Sequence, residues 1–156
     1  HVERLSKEAK IIARAELASG SDKGDLFAPT IAEIPTPDFL EREVFGPILH
    51  VYRYDSKDLK SVAAKLAARG YGLTLGVHSR IEAFADEVVR LVPAGNVYVN
   101  RSIIGAVVGV QPFGGEGLSG TGPKAGGPNS LIRYAAEKAI SVNIAAQGGD
   151  PALLNL

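Results

Sequence analysis

The 156-residue chain contains no cysteine. Disulfides, thiolate metal sites and any thiol nucleophile supplied by this chain are therefore excluded. It also lacks net charge: 17 basic and 17 acidic side chains are spread along it, so nothing in its electrostatics points to nucleic acid or an anionic membrane as a partner. No run approaches the roughly 18 apolar residues of a membrane span, and no charged start followed by an apolar core resembles a signal peptide. A soluble, cytoplasmic protein is the expectation. There is no initiating methionine, and the helical pattern begins almost at His1, so the chain reads as a piece of something longer.

What is present is 46% apolar, enough to bury a core within one ordinary domain. In "VERLSKEAKIIARAELASG" the positions Val2, Leu5, Ala9, Ile12 and Ala13 recur at helical spacing, which predicts an amphipathic helix closed by Gly20. "SDKGD" is turn chemistry, and "LFAPTIAEI" reads as a short extended segment whose proline argues for an edge or crossing position. "PTPDFLER" offers about one helical turn with Asp38 as its cap. From Pro47 the pattern is regular. "ILHVYRY" is a strand, and "SKDLKSVAAKLAARG" is a helix with Leu59, Val62, Ala63 and Leu66 on one face, a Ser56 cap and Gly70 at its end. "LTLGVHS" is a second strand. Ser79 and Glu82 suggest a capping box for a helix with Ile81, Phe84, Ala85 and Val88 inward, and "NVYVN" is a third strand. Strands alternating with helices predict an α/β fold with a parallel sheet covered on both faces.

Beyond Asn100 the composition changes, because 9 of the 18 glycines lie between Gly105 and Gly127. Glycine at that density disfavours helix and strand alike, so a long, apolar, functional loop is expected. "GPNSLIRYAAEK" then predicts a short helix with Pro128 near its first turn, and "AISVNIAA" a final strand able to pair with a neighbouring subunit's sheet.

Within the loop, Gly115-x-Gly117-x-x-Gly120 has the form of a dinucleotide fingerprint. No strand leads directly into it and no helix opens at its end, so the Rossmann context is missing. Ser119 lacks the final glycine of a nucleophile elbow, and no histidine follows it. His1, His50 and His78 have no ligand-like spacing; His50 and His78 fall in predicted strands as structural residues, and no metal is expected. Composition alone would make Glu43 a solvated charge and Phe45 a core residue.

Four ordered motifs change that reading. Glu43-Val44-Phe45-Gly46-Pro47, "YGLTLGVHS", "GNVYVN" and "QPFGGEGLSGTG" together resemble the aldehyde dehydrogenase superfamily over essentially the whole chain. The resemblance implies the C-terminal portion of that family's catalytic domain, a parallel three-layer α/β sheet, in residues 1–136. Residues 137–156 would be an oligomerisation strand and tail. It also implies that Glu43 accepts hydrogen bonds from the nicotinamide-side ribose of NAD and that Phe45 packs beside the nicotinamide. A carboxylate offers two acceptor oxygens to a vicinal diol, and charge-assisted bonds are the stronger kind.

The segment "YVNRSIIGAVVGVQPFGGEGLSGTGPKAGGP" is further similar to L-glutamate γ-semialdehyde (1-pyrroline-5-carboxylate) dehydrogenases, and the ending to the bacterial proline utilization A family. This implies that backbone N–H groups of Gly105 and Ala106 bind a substrate α-carboxylate and that Phe113 packs against its aliphatic part. FAD would belong only to a proline dehydrogenase domain outside these residues. A homo-oligomer acting on a small aldehyde in the bacterial cytoplasm is implied, with no nucleic acid partner and no direct membrane contact from this segment. No catalytic residue carries over, since the family's cysteine, oxyanion-holding and water-activating motifs are not here, and the isolated segment is expected to be inactive and to associate through exposed apolar surface. The alternatives are an aldehyde dehydrogenase of other specificity and a stand-alone oligomerisation or ligand-binding module.

Overall fold

Residues 1–21, 24–107, 109–143, 146 and 148 are described by a computed structural model of the chain. Helix α1 (Val2–Glu8) places Leu5 fully out of solvent, but the chain leaves the helix at Ala9, where the backbone is extended (φ −137°, ψ −179°), and enters strand β1 (Lys10–Arg14). The helix expected to continue to Gly20 therefore stops at Glu8. Its continuation contains the β-branched pair Ile11 and Ile12, and antiparallel pairing of β1 with β2 (Thr30–Glu33) outweighs the helical spacing.

Strand β2 is central, not an edge: it pairs with β1 on one side and, in parallel, with β3 (Ile48–Val51) on the other. Pro29 stands just outside the strand, where its carbonyl accepts a bond from the Ala15 N–H and no donor is needed. Leu5, Ala32, Ile34 and Phe39 form one core beneath this sheet. Phe39 belongs to a 3-10 turn, Pro37–Phe39, capped by Thr36 and not by Asp38.

A second 3-10 turn, Ser56–Asp58, precedes helix α2 (Leu59–Ala68); its cap is Asp55, which accepts from the Lys57 N–H, so Ser56 is not the cap. Leu59, Val62 and Ala63 are buried as the spacing predicts, while Leu66 is 42% exposed. Gly70 closes the helix with φ +76°. Strands β4 (Tyr71–Gly72) and β5 (Thr74–Val77) follow, then helix α3 (Glu82–Leu91) and strand β6 (Asn96–Val99). No capping box forms at α3. Ser79 instead accepts from the Ile81 N–H two residues on, and Ile81 is exposed; Ala85 and Val88 face a second core with Leu59 and Val77.

The α/β class is present, with parallel pairing of β2 with β3 and of β5 with β6. Among the described residues, however, the strands form three separate small sheets. The third joins β4 to β7 (Glu116–Gly117) in antiparallel fashion. The helix expected after Pro128 is only a five-residue 3-10 turn, Ser130–Tyr134, whose Leu131, Ile132 and Tyr134 are exposed. No strand forms over the described residues 139–143; a strand needs a partner edge, and none is offered here. Residues 144 and 145 of that predicted strand, and the tail from 149 to 156, lie outside the described residues.

Candidate functional site

The Glu43–Pro47 turn is held at its downstream end by backbone bonds. The Pro47 carbonyl accepts from Thr30 N–H on β2 (2.9 Å), and the Gly46 carbonyl accepts from Ile48 N–H (2.8 Å). Between Glu41 and Phe45 no backbone hydrogen bond is made among the described residues. Glu43 is exposed, and among the described residues its carboxylate takes part in no ion pair. Phe45 is 90% exposed, against the expectation from composition that it would be core. An exposed carboxylate without an ion-pair partner among the described residues, two residues from a solvent-facing aromatic, fits a ligand that offers a diol and a planar ring. Glu43 also lines a groove of about 680 Å³ bordered by Tyr52, Leu66, Arg69, Leu75 and Ser119.

The second set of predicted residues follows β6. The chain leaves the strand at Asn100, which has φ +54° and uses its side-chain amide twice: Oδ1 accepts from Ser79 N–H, and Nδ2 donates to the Ser79 carbonyl, both at 2.9 Å. Ile103 then packs over Gly76 of β5, where a Cβ would strike its Cγ2. Gly105 is exposed with φ +78°, a conformation that disfavours any side chain, and Ala106 is half-buried. Phe113 is half-buried and bridges Ala125 through two backbone bonds, 3.0 and 2.9 Å long.

Phe113 is fixed by a residue that the sequence reading passed over. Asn96, the first residue of β6, donates from Nδ2 to the Pro112 carbonyl (2.9 Å) and accepts at Oδ1 from Gly114 N–H (3.0 Å). Lys124 adds a bond from Nζ to the Gly114 carbonyl (2.8 Å). Ser119, which fails as a nucleophile on sequence grounds, is an anchor: its Oγ accepts from Gly72 N–H (3.1 Å), and Leu118 N–H donates to the Gly70 carbonyl. The glycines permit this docking. A Cβ on Gly95 would overlap the Gly114 carbonyl, and one on Gly117 the Gly70 carbonyl. Asparagine at the start of a strand is a weak signal in sequence, since its partners are chosen by the fold.

Glu43 and Phe45 precede β3, whereas Gly105, Ala106 and Phe113 follow β6 in a different sheet. No hydrogen bond or ion pair among the described residues joins the two sets. His50 lies in β3 as expected, 2.9 Å from His1 through their Nε2 atoms, and burial lowers its pKa. His78 lies one residue past β5 and is exposed, correcting its placement within the strand.

Residues 1–140 match the aldehyde dehydrogenase family. The chain is 46% identical over 155 residues to the bifunctional protein PutA of Rhizobium meliloti, an alignment covering 99% of this chain and 13% of that protein. A solved structure of a proline utilization A mutant from Bradyrhizobium japonicum superposes with a TM-score of 0.82 at 50% identity, over 94% of this chain and 15% of that one. A 1-pyrroline-5-carboxylate dehydrogenase from Thermus with bound NAD gives a TM-score of 0.70 at 35% identity, over 84% of this chain and 25% of that one. The chain thus spans well under a third of the length of each of these relatives.

Proposed function

Since the chain belongs to the aldehyde dehydrogenase family, we propose that it is part of an NAD-dependent dehydrogenase that oxidises L-glutamate γ-semialdehyde, the open form of 1-pyrroline-5-carboxylate, to L-glutamate in proline catabolism. The observation that carries this reading is the exposed Phe45, presented on a turn held at its downstream end, two residues from the exposed Glu43 carboxylate. An aromatic ring left 90% in solvent, with little packing among the described residues, suits stacking against a planar ligand. The relatives support the choice of ligand and substrate: one is a 1-pyrroline-5-carboxylate dehydrogenase with bound NAD.

In this reading Glu43 holds the nicotinamide-side ribose hydroxyls and Phe45 restrains the nicotinamide ring. Bound NAD would supply the hydride acceptor for aldehyde oxidation. Gly105 and Ala106 present backbone N–H groups to the substrate α-carboxylate, which suits a segment where Gly105 already has φ +78° and nothing crowds its Cα. Phe113, steadied through Asn96, covers the aliphatic part of the substrate. The chain has no cysteine, so the nucleophile, with the groups that activate water, comes from elsewhere in the protein.

The finer architecture follows from the same reading. Strands outside residues 1–156 complete a parallel three-layer sheet, with the groove beside Tyr52 and Leu75 as one place for them. Residues 137–156 form the oligomerisation strand and tail on a neighbouring subunit, which would cover Ile140 and Val142, now 74% and 56% exposed. The protein acts in the bacterial cytoplasm as a homo-oligomer, and FAD enters only if a proline dehydrogenase domain is also present.

The test is NADH production by the full-length protein. Glu43→Gln is expected to raise the KM for NAD about tenfold or more, the loss of charge-assisted hydrogen bonds worth about 1.5–3 kcal/mol. Glutamate semialdehyde should be strongly preferred over an aldehyde of similar length without the α-carboxylate. Gly105→Pro should abolish the preference, because proline fixes φ near −65° where the chain needs a positive value. Equal turnover of the two aldehydes would discard the substrate and leave the dehydrogenase.

A further inference from the structure

We propose that Asp38 is a positioning residue for the cofactor-binding turn: by gripping helix α2 through Lys65 and Arg69 it fixes where the following segment delivers Glu43. This inference rests on the assignment of Glu43 to NAD given above.

The segment from Glu41 to Phe45 makes no backbone hydrogen bond among the described residues, so its course is set from its two ends. Downstream, Pro47 is tied to Thr30. Upstream, the Pro37–Phe39 turn is fastened by its side chains. Pro37 and Phe39 are buried, and Leu40 packs against the core that contains Phe39. Asp38 spreads its two oxygens between two cations on one face of α2 and its cap: Oδ2 lies 2.9 Å from Lys65 Nζ, and Oδ1 accepts from Arg69 at 2.6 Å. Lys65 also donates to Thr36 Oγ1 (3.2 Å), and Thr36 Oγ1 accepts from Asp38 N–H (3.4 Å), so both sides of the turn are held to the helix. Beside this grip, the stretch that leads to Glu43 is restrained by the packing of Phe39 and Leu40, by the Arg4 guanidinium 4.2 Å over the Phe39 ring, and by the Arg4–Glu41 ion pair, 3.4 Å between exposed side chains.

The arrangement suits geometry better than stability. Asp38 is 44% exposed, and ion pairs so open to solvent contribute little to folding. Two cations on separate oxygens do, however, fix both the position and the rotation of a carboxylate, and through it the turn. Pro37, Leu40 and Arg69, part of the grip and its turn, border the same groove as Glu43.

The experiment is steady-state kinetics on the full-length enzyme with Asp38→Asn, Glu43→Gln and the double variant, each also checked by thermal unfolding. Asp38→Asn is expected to raise the KM for NAD about fivefold while kcat and the KM for the aldehyde stay within about twofold. The double variant should be no more than about twofold worse than Glu43→Gln alone, because Asp38 acts through Glu43. Should Asp38→Asn lower the unfolding temperature, Lys65→Gln provides the second probe, with the same NAD-selective rise expected. Multiplying effects, a rise in both KM values, or no rise in either Asp38→Asn or Lys65→Gln would overturn the inference while leaving Glu43 in place. If Glu43→Gln itself leaves the KM for NAD unchanged, the Glu43 assignment falls and this inference with it.

Discussion

The two halves of the molecule are built by different means. From Val2 to Val99, helices and strands bury side chains in two small cores, around Leu5 and Phe39 and around Val77 and Val88. Beyond Asn100 almost every described residue is exposed or half-buried, with Gly115 as a buried exception. The later region keeps its place by backbone contact and a few polar anchors: Asn96 on Pro112 and Gly114, Ser119 on Gly72, and the β4–β7 bridge. The first region needs side chains of the right size, and the second needs some positions to have no side chain at all.

Opposite substitutions should therefore damage the two regions. The largest effect is expected from removing bulk in the first: Leu5→Ala empties a fully buried site and should cost about 2–5 kcal/mol, read as a shift in the denaturant midpoint of the full-length protein. In the second region adding bulk does the harm. Gly95→Ala, at the foot of β6 where the second region docks on the first, would drive a methyl into the Gly114 carbonyl, and overpacking of this kind costs about 1–3 kcal/mol. The loss should be local: faster hydrogen exchange at Phe113 and Gly114 and a raised KM for the aldehyde, with the exchange of β2 unchanged. Equal protection loss in β2 would mean that the two regions fold as one unit.

The same contrast explains what could be read from sequence. The succession β3, α2, β5, α3, β6 was legible because local periodicity and burial agree there, with Leu59, Val62, Ala85 and Val88 inward as their spacing requires. Errors arose where a distant partner decides. Residues 10–14 have helical spacing but are claimed by β2, and Pro29, read as the mark of an edge or crossing position, stands just before a central strand. The caps at Ser56, Ser79 and Asp38 were misplaced by a few residues, since several oxygens compete for the same N–H groups. The strand from Ala139 is expected to pair with a neighbouring subunit's sheet, so within one chain the described residues leave it without a partner edge. At the candidate site the sequence named Glu43, Phe45, Gly105, Ala106 and Phe113 through motif resemblance alone. The anchors Asn96 and Asp38 stayed hidden because their roles depend on residues 16 to 31 positions away.

The smallest effect expected is the response of the first region to acid, and its sign can be worked out. Burial holds the His50 pKa below its ordinary value near 6.5. The unfolded chain therefore binds a proton that the folded chain resists, so this contribution is complete above about pH 6.5 and is lost as pH falls through the lower folded value. Asp38 behaves alike at lower pH. Hydrogen bonds from Lys65 and then Arg69 hold its carboxyl below the usual carboxylate range, against a smaller opposing effect of burial. Its contribution is complete above about pH 4 and disappears as pH falls through the depressed value. Lys65 is raised by the same hydrogen bond from its side, so its share persists below about pH 10 and is lost only as pH rises through the raised value. On acidification the stability of this region should thus fall in two stages, His50 first and Asp38 second. A pH series of denaturant midpoints checks this: His50→Gln should remove the early loss and spare the late one, and Asp38→Asn should do the reverse. If His50→Gln leaves the early loss in place, the first stage belongs to another group. The pairing of His1 with His50 would then have no part in the acid sensitivity of the sheet.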